Sequence, residues 1–356
     1  MLPLTSLLSQ VLVALTIELD NEYEHRAPYF TMDHGVGAHG SGAWLISAAM
    51  YVNFLRFVPD EGIVMRELSA AAGCDKPVHR MHDGLRRWGY VTYSPPIATS
   101  TKAKDADAVV RPTPPGARSR DLWAQTFADV EDRWTHRGLG ALQRTLIPIV
   151  EAIDRPLPEY SPIVEFDYRM APIADTAVSG EPSDLGLLAL VSQALLAMTL
   201  DFDAASPLSL CFVQNLLRPL SAEPTRVVDL TEVTGIAKKA WGSAVGHVTK
   251  PGFATVGPGP GGKGKAVSLT DKGIAARETG RAAMSDVEAA WRDRCGPPLE
   301  SLRHELEKVV GDGTPSSPVF AGIEPYPECW RAKLKPLLVL PHQPLVSHRG
   351  GYPDGS

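Results

Sequence analysis

Residues 7–23 are apolar on almost every side of a helical wheel, so they predict a helix buried all round, the kind that suits an interface between two halves of a molecule. Behind a Gly-rich loop over 33–42, Trp44, Leu45, Met50, Tyr51, Phe54 and Leu55 predict a second buried helix over 43–58. The pattern then narrows to single stripes. Met65 to Ala72 reads as a short amphipathic helix, and Gly73-Cys74-Asp75 as a turn with Asp75 as N-cap. Val78, Met81, Leu85 and Trp88 make one apolar stripe at helical spacing. Alternation over 90–93 and the pair Val109-Val110 predict two strands flanking a polar, Pro-containing excursion. A long helix follows Thr113-Pro114-Pro115-Gly116, with Trp123, Phe127, Val130 and Trp134 on its buried face.

The pattern then occurs a second time. Ser9, Gln10, Leu12, Ala14, Thr16 and Asp20 match Ser192, Gln193, Leu195, Ala197, Thr199 and Asp203 at an offset of 183 (193 less 10). Leu68, Gly73 and Lys76 match Leu230, Gly235 and Lys238. Thr113, Gly116, Asp129, Val130, Glu131 and Trp134 match Thr270, Gly273, Asp286, Val287, Glu288 and Trp291 at an offset of 157 (270 less 113). Collinear matches with shrinking offsets predict a duplicated domain whose loops differ in length. Repeat one spans 1–154 and repeat two 184–310, joined by a Pro-rich linker at 155–183 and followed by an irregular Pro/Gly-rich tail at 311–356. Within repeat two the expected order is a helix over 227–233, a turn at Gly235, a helix over 238–250, a strand over 253–256, a wing over 257–265, a return strand over 267–269 and a last helix opened by Thr270.

Helix, turn, helix, strand, loop, strand is the order of a winged helix-turn-helix, with the loop as the wing. Val267-Ser268-Leu269-Thr270-Asp271-Lys272-Gly273 resembles the strand-to-helix signature of the MarR family of winged-helix regulators, with 113–116 as its diverged twin. The chain is also similar to actinobacterial proteins carrying two MarR-like units in tandem. The markers are Arg86-Arg87-Trp88-Gly89-Tyr90-Val91, the Val-Glu-x-x-Trp of each long helix and the ending His348-Arg349-Gly350-Gly351-Tyr352-Pro353-Asp354-Gly355-Ser356. The resemblance implies a mainly α fold with small β wings (α+β), in which two winged-helix units form an intramolecular pseudo-dimer. It also implies double-stranded DNA as partner. The candidate groove and wing residues are Lys76, His79, Arg80, Arg86 and Arg87 in repeat one, and Lys239, Ser243, His247, Lys250, Lys263 and Lys265 in repeat two. Such residues also populate any solvated helix face. Two departures stand out: the Asp-Arg pair common in MarR wings is absent from both repeats, and residues 238–250 contain no arginine, the commonest reader of guanine.

Composition refines this picture. The 356 residues are 44% hydrophobic and 21% charged with a net charge of −6, which argues against indiscriminate nucleic-acid binding by the whole surface. Cys74, Cys211, Cys295 and Cys329 are far apart and read as reduced thiols, so neither a metal nor another cofactor is expected. The apolar start lacks a basic leader and is interrupted by polar residues; a cytoplasmic protein with no membrane partner is expected. Aromatic and imidazole residues near the first helices, Tyr23, His25, His34, His39, Trp44 and Tyr51, predict a pocket for a small aromatic ligand. The leading expectation is therefore a ligand-responsive transcription regulator. The alternative is a fold repurposed as a small-molecule binder or an enzyme of specialised metabolism, with His34 beside Asp33 as general base and His25 or His39 as acid. Residues 257–263 fit a phosphate-loop spacing, but Gly264 replaces its Ser/Thr and a strand follows, so the stretch reads as a wing.

Overall fold

A computed structural model describes residues 2–27, 46–73, 84–94, 106–161, 173, 179–236, 238–333, 336 and 338–344. It is mostly helical with two small antiparallel sheets. The first half contains α1 (Leu4–Arg26), α2 (Ala48–Asn53), β1 (Ile63–Val64), α3 (Met65–Ala72), β2 (Val91–Ser94), β3 (Val109–Pro112), α4 (Pro114–Trp134) and α5 (Gly140–Glu151). The second contains α6 (Leu187–Ala205), α7 (Leu210–Phe212), β4 (Thr225–Arg226), α8 (Leu230–Thr234), α9 (Lys238–Thr249), β5 (Ala254–Pro258), β6 (Lys265–Leu269), α10 (Asp271–Cys295) and α11 (Pro297–Val310). The sheets run β1-β3-β2 and β4-β6-β5, so the third strand of each half lies in the middle.

The same local devices build both halves. Gly73 and Gly235 end α3 and α8 with φ of 68° and 70°, a left-handed turn that glycine adopts without strain. Thr113 and Thr270 cap α4 and α10 by accepting from the backbone N–H three residues on, at 3.1 and 3.2 Å. Each threonine also donates back across the preceding turn, to Gly89 O at 2.6 Å and Gly252 O at 2.8 Å. A Cβ on Gly116 or Gly273 would collide with the carbonyl of Tyr90 or Phe253, so both helices can start so close to the sheet only with glycine there. Trp134 donates to Glu18 at 2.7 Å and Trp291 to Asp201 at 2.8 Å, acids that correspond at the 183-residue offset.

α1 is buried from Leu4 to Tyr23 except for half-buried Thr16, because α4, α6 and α11 pack on it and residues 321–333 and 338–343 run along its remaining side. That strap is held by α1 itself. Asn21 donates to Ile323 O at 2.8 Å, Arg331 to Asp20 O at 2.8 Å, Gln10 to Leu340 O at 3.4 Å and Ser9 to Pro341 O at 3.0 Å. On α6 the corresponding pair grips the linker: Gln193 donates to Pro158 O at 3.3 Å, and Ser192 Oγ accepts from Ser161 N at 2.6 Å. Leu157-Pro158 and Leu340-Pro341 are themselves 183 residues apart. The segment that follows each half thus lies on the first helix of the other. α6 is the one described helix long and apolar enough to cross a membrane, and 78% of its apolar window is buried inside the protein.

Several boundaries differ from the sequence pattern. The second buried helix covers only Ala48–Asn53, because Ser47 caps it by accepting from Met50 N at 3.4 Å and the chain breaks at Phe54 into a tighter turn over Leu55–Phe57. α8 begins at Leu230 rather than 227 because Thr225 and Arg226 are paired with Val267 and Ala266 in the sheet. The repeat pattern ends at the tryptophan of each long helix, whereas the structure adds α5 and α11 beyond it.

Candidate functional site

The two halves interlock reciprocally. Glu288 of α10 accepts from the N–H of Leu4 at the start of α1, at 2.5 Å. Its counterpart Glu131 of α4 accepts from the N–H of Leu188 at the start of α6, at 3.1 Å. A carboxylate at a helix N-terminus satisfies an orphan donor and meets the positive end of the helix dipole, so each long helix holds the other half's first helix.

A cavity of about 420 Å³ opens on one of these two contacts. Leu2 and Pro3 precede α1 on one side; Gln214 and Arg218 lie beyond α7; α10 supplies Arg277, Arg281, Met284 and Glu288, and α11 supplies Arg303. Four arginines therefore surround one lining carboxylate. Three of them have acidic partners: Arg303 meets Glu288 at 2.7 Å, and Glu278 meets Arg277 at 3.2 Å and Arg281 at 2.9 Å. Arg218 differs. Among the described residues its hydrogen bond goes to the Gln214 carbonyl at 3.1 Å, and burial pulls its pKa down to about 10. It stays charged at neutral pH with no counter-charge among the described residues, a state that a bound anion relieves. The buried Gln214 Oε1 beside it has no hydrogen-bond partner among the described residues. An apolar wall of Met284, Val213 and Leu2, a guanidinium and an open amide oxygen fit a small apolar carboxylate that also carries a hydroxyl or amine donor.

Of the sequence-predicted ligand residues, Tyr23, His25 and Tyr51 are described, and none of the three lines this cavity. Tyr23 and Tyr51 are buried in an aromatic stack, with Trp123 at 4.1 Å from Tyr23 and 5.6 Å from Tyr51, and they do not line this cavity. His25 is exposed, stacks on Tyr326 at 3.8 Å and meets Glu328 at 2.6 Å. Asp33, His34, His39 and Trp44 fall outside the described residues, as do Lys76, His79 and Arg80, and so do the side chains of Lys239 and Ser243. Of the remaining DNA-facing candidates, Arg87, Lys250, Lys263 and Lys265 are exposed, and Arg86 and His247 are half-buried. The expected stripe on α9 is present: Trp241, Ala244 and Val248 are all fully buried, and Trp241 donates to Thr234 at 3.0 Å.

Sequence reasoning missed the cavity, although the repeat carries its signal. At the offset of 157, Trp123 faces Gly280, Ala124 faces Arg281, Phe127 faces Met284 and Leu146 faces Arg303. Bulk leaves the second copy and charge enters it at one place. No family model, curated protein or solved structure matches the chain, so the reading of this site stands on its geometry and chemistry.

Proposed function

We propose that the chain is a ligand-responsive, DNA-binding transcription regulator of MarR type, with residues 1–154 and 184–310 as two winged-helix units of a single-chain pseudo-dimer acting in the cytoplasm. The observation that carries this reading is the position of the arginine-lined cavity on the Glu288–Leu4 contact between the halves. A molecule binding there touches the groups that set how one half sits on the other. Two recognition elements must reach successive major grooves about 34 Å apart, so a small rotation between the halves lowers DNA affinity. The exposed Lys250, Lys263 and Lys265 supply phosphate contacts in the second unit and Arg87 in the first. The ligand is a small organic carboxylate, aromatic for preference, with Arg218 as its counter-charge and Gln214 as acceptor for its donor group.

The test is fluorescence anisotropy of the full chain on duplex DNA from upstream of its own gene, at low and moderate salt, with 2-hydroxybenzoate and benzoate as probes. The expected result is binding that weakens steeply with salt, release by millimolar probe, and an Arg218→Met variant that keeps DNA affinity but no longer responds. Absence of any DNA binding at low salt would falsify the regulator reading. Probe binding that persists in calorimetry under those conditions would then favour the alternative, a small-molecule binder that has given up DNA.

A further inference from the structure

We propose that His25, Glu328 and Cys329 form a binding site for a divalent transition metal, with zinc(II) the ion their donors fit. A nitrogen of His25, a carboxylate oxygen of Glu328 and the sulfur of Cys329 all lie within 4.8 Å of one another. They come from two segments some 300 residues apart in sequence, the last turn of α1 and the strap that lies along it. That convergence has a supporting frame. The His25 ring stacks on Tyr326 at 3.8 Å and 11°, and the Tyr326 hydroxyl donates to Glu22 at 2.8 Å, one turn of α1 before His25. Arg331 continues the frame by meeting Glu24 at 3.5 Å.

The donor set selects the ion. A thiolate disfavours magnesium and calcium, while imidazole, thiolate and carboxylate together suit zinc, with one tetrahedral position left for water. Cys329 is buried beneath the pair while His25 and Glu328 are exposed, which gives an ion both an inner ligand and an entry path. One rearrangement is required. Zinc bonds of about 2.0–2.2 Å place two tetrahedral ligands about 3.4 Å apart, so the His25–Glu328 hydrogen bond at 2.6 Å must open. Both side chains face solvent and can swing apart at small cost. On binding, the Cys329 thiol proton leaves to solvent as the metal–sulfur bond forms, and the thiolate, imidazole and carboxylate take the place of all but one of the ion's waters, which leave to solvent. The bound ion fastens the strap to α1 from the second half's end of the chain. At the position equivalent to His25 in α6's half stands Leu208, so the fastening belongs to one side of the molecule only.

The experiment uses the full chain, freed of metal by chelator and titrated with cobalt(II) and then zinc(II). One equivalent of cobalt is expected to give the visible bands of tetrahedral coordination together with a thiolate charge-transfer band, both removed by one equivalent of zinc. Cys329→Ser and His25→Ala lose the charge-transfer band and the tetrahedral bands respectively, whereas Cys295→Ser keeps both. Zinc raises the melting temperature of the parent chain and leaves that of His25→Ala, an exposed substitution that preserves the fold, unchanged. Absence of tetrahedral bands at stoichiometric cobalt, or bands that survive in both site variants, overturns the proposal. These readouts need neither DNA nor the carboxylate probes, so they stand or fall apart from the regulator reading.

Discussion

The two seams between the halves are built on one plan and end in opposite states. In the first half, Trp123 and Phe127, on the same helix α4 as Glu131, are buried with Tyr23, Tyr51 and Tyr160 packed around them. In the second, Gly280 and Met284 stand at those positions and about 420 Å³ stays open behind Glu288. Gly280 is itself confined, because a Cβ there would press on Val213 at 2.6 Å. Electrostatics follows packing. Glu288 is answered by Arg303, whereas Glu131, with Leu146 in the equivalent place, has its pKa raised by burial. The two long helices therefore share the interlock, while one is packed into core and the other lines a charged pocket. A fused pair can diverge in this way; two identical chains cannot, because each substitution would appear on both sides.

The comparison is broken most severely at Trp123. Trp123→Ala is expected to cost about 3–5 kcal/mol in urea unfolding, the usual range for a buried aromatic, whereas Met284→Ala against the open cavity costs about 2 kcal/mol. Equal losses would mean that both seams are equally packed. Next come the interlocking acids. Glu288→Gln leaves Arg303 without its closest carboxylate and is expected to cost about 2–3 kcal/mol. Glu131→Gln keeps the acceptor for Leu188 and removes a charge that burial disfavours, so it changes stability by less than about 1 kcal/mol, in the stabilising direction at neutral pH. A Glu131→Gln loss as large as that of Glu288→Gln would remove the electrostatic half of the contrast.

The last contrast is a pH dependence that separates the straps. At matching positions the linker carries Glu159, paired with Arg56 at 2.7 Å, and the tail carries His342. Burial, with Arg218 nearby, pulls the His342 pKa down to about 3, so between 3 and 6.5 only the unfolded chain holds its proton. Stability from this group is full above 6.5 and is lost as pH falls through that window. Asp20 acts with the opposite sign. Burial pushes its carboxyl up to about 7, against the pull of Arg331, and its contribution is lost as pH rises from 3.8 towards 7. In stability curves from pH 4 to 7, His342→Gln is expected to lose part of the rise with pH and Asp20→Asn part of the fall.

Much of the fold was legible in residue patterns. The apolar-all-round character of 7–23, the capping threonines, the left-handed glycines and the stripe through Trp241 each act within a few residues, and each appears where the pattern puts it. The sequence-predicted site was less legible. Tyr23 and Tyr51 are buried and stack on Trp123, while His34, His39 and Trp44 of the same expected pocket lie outside the described residues. The arginines of the cavity are scattered from 218 to 303 and match no local spacing.

The sequence by itself determined the recurring residue pattern, the capping threonines, the turn glycines and which face of each helix is apolar, because caps, turns and stripes are decided by neighbours three or four residues away. Only the tertiary structure decided that each half's trailing segment crosses to the other's first helix, and that aromatic rings pack along α4 while a cavity opens at Glu288. Those outcomes depend on which distant surfaces can bury each other and satisfy their polar groups together, a choice that no window along the chain contains.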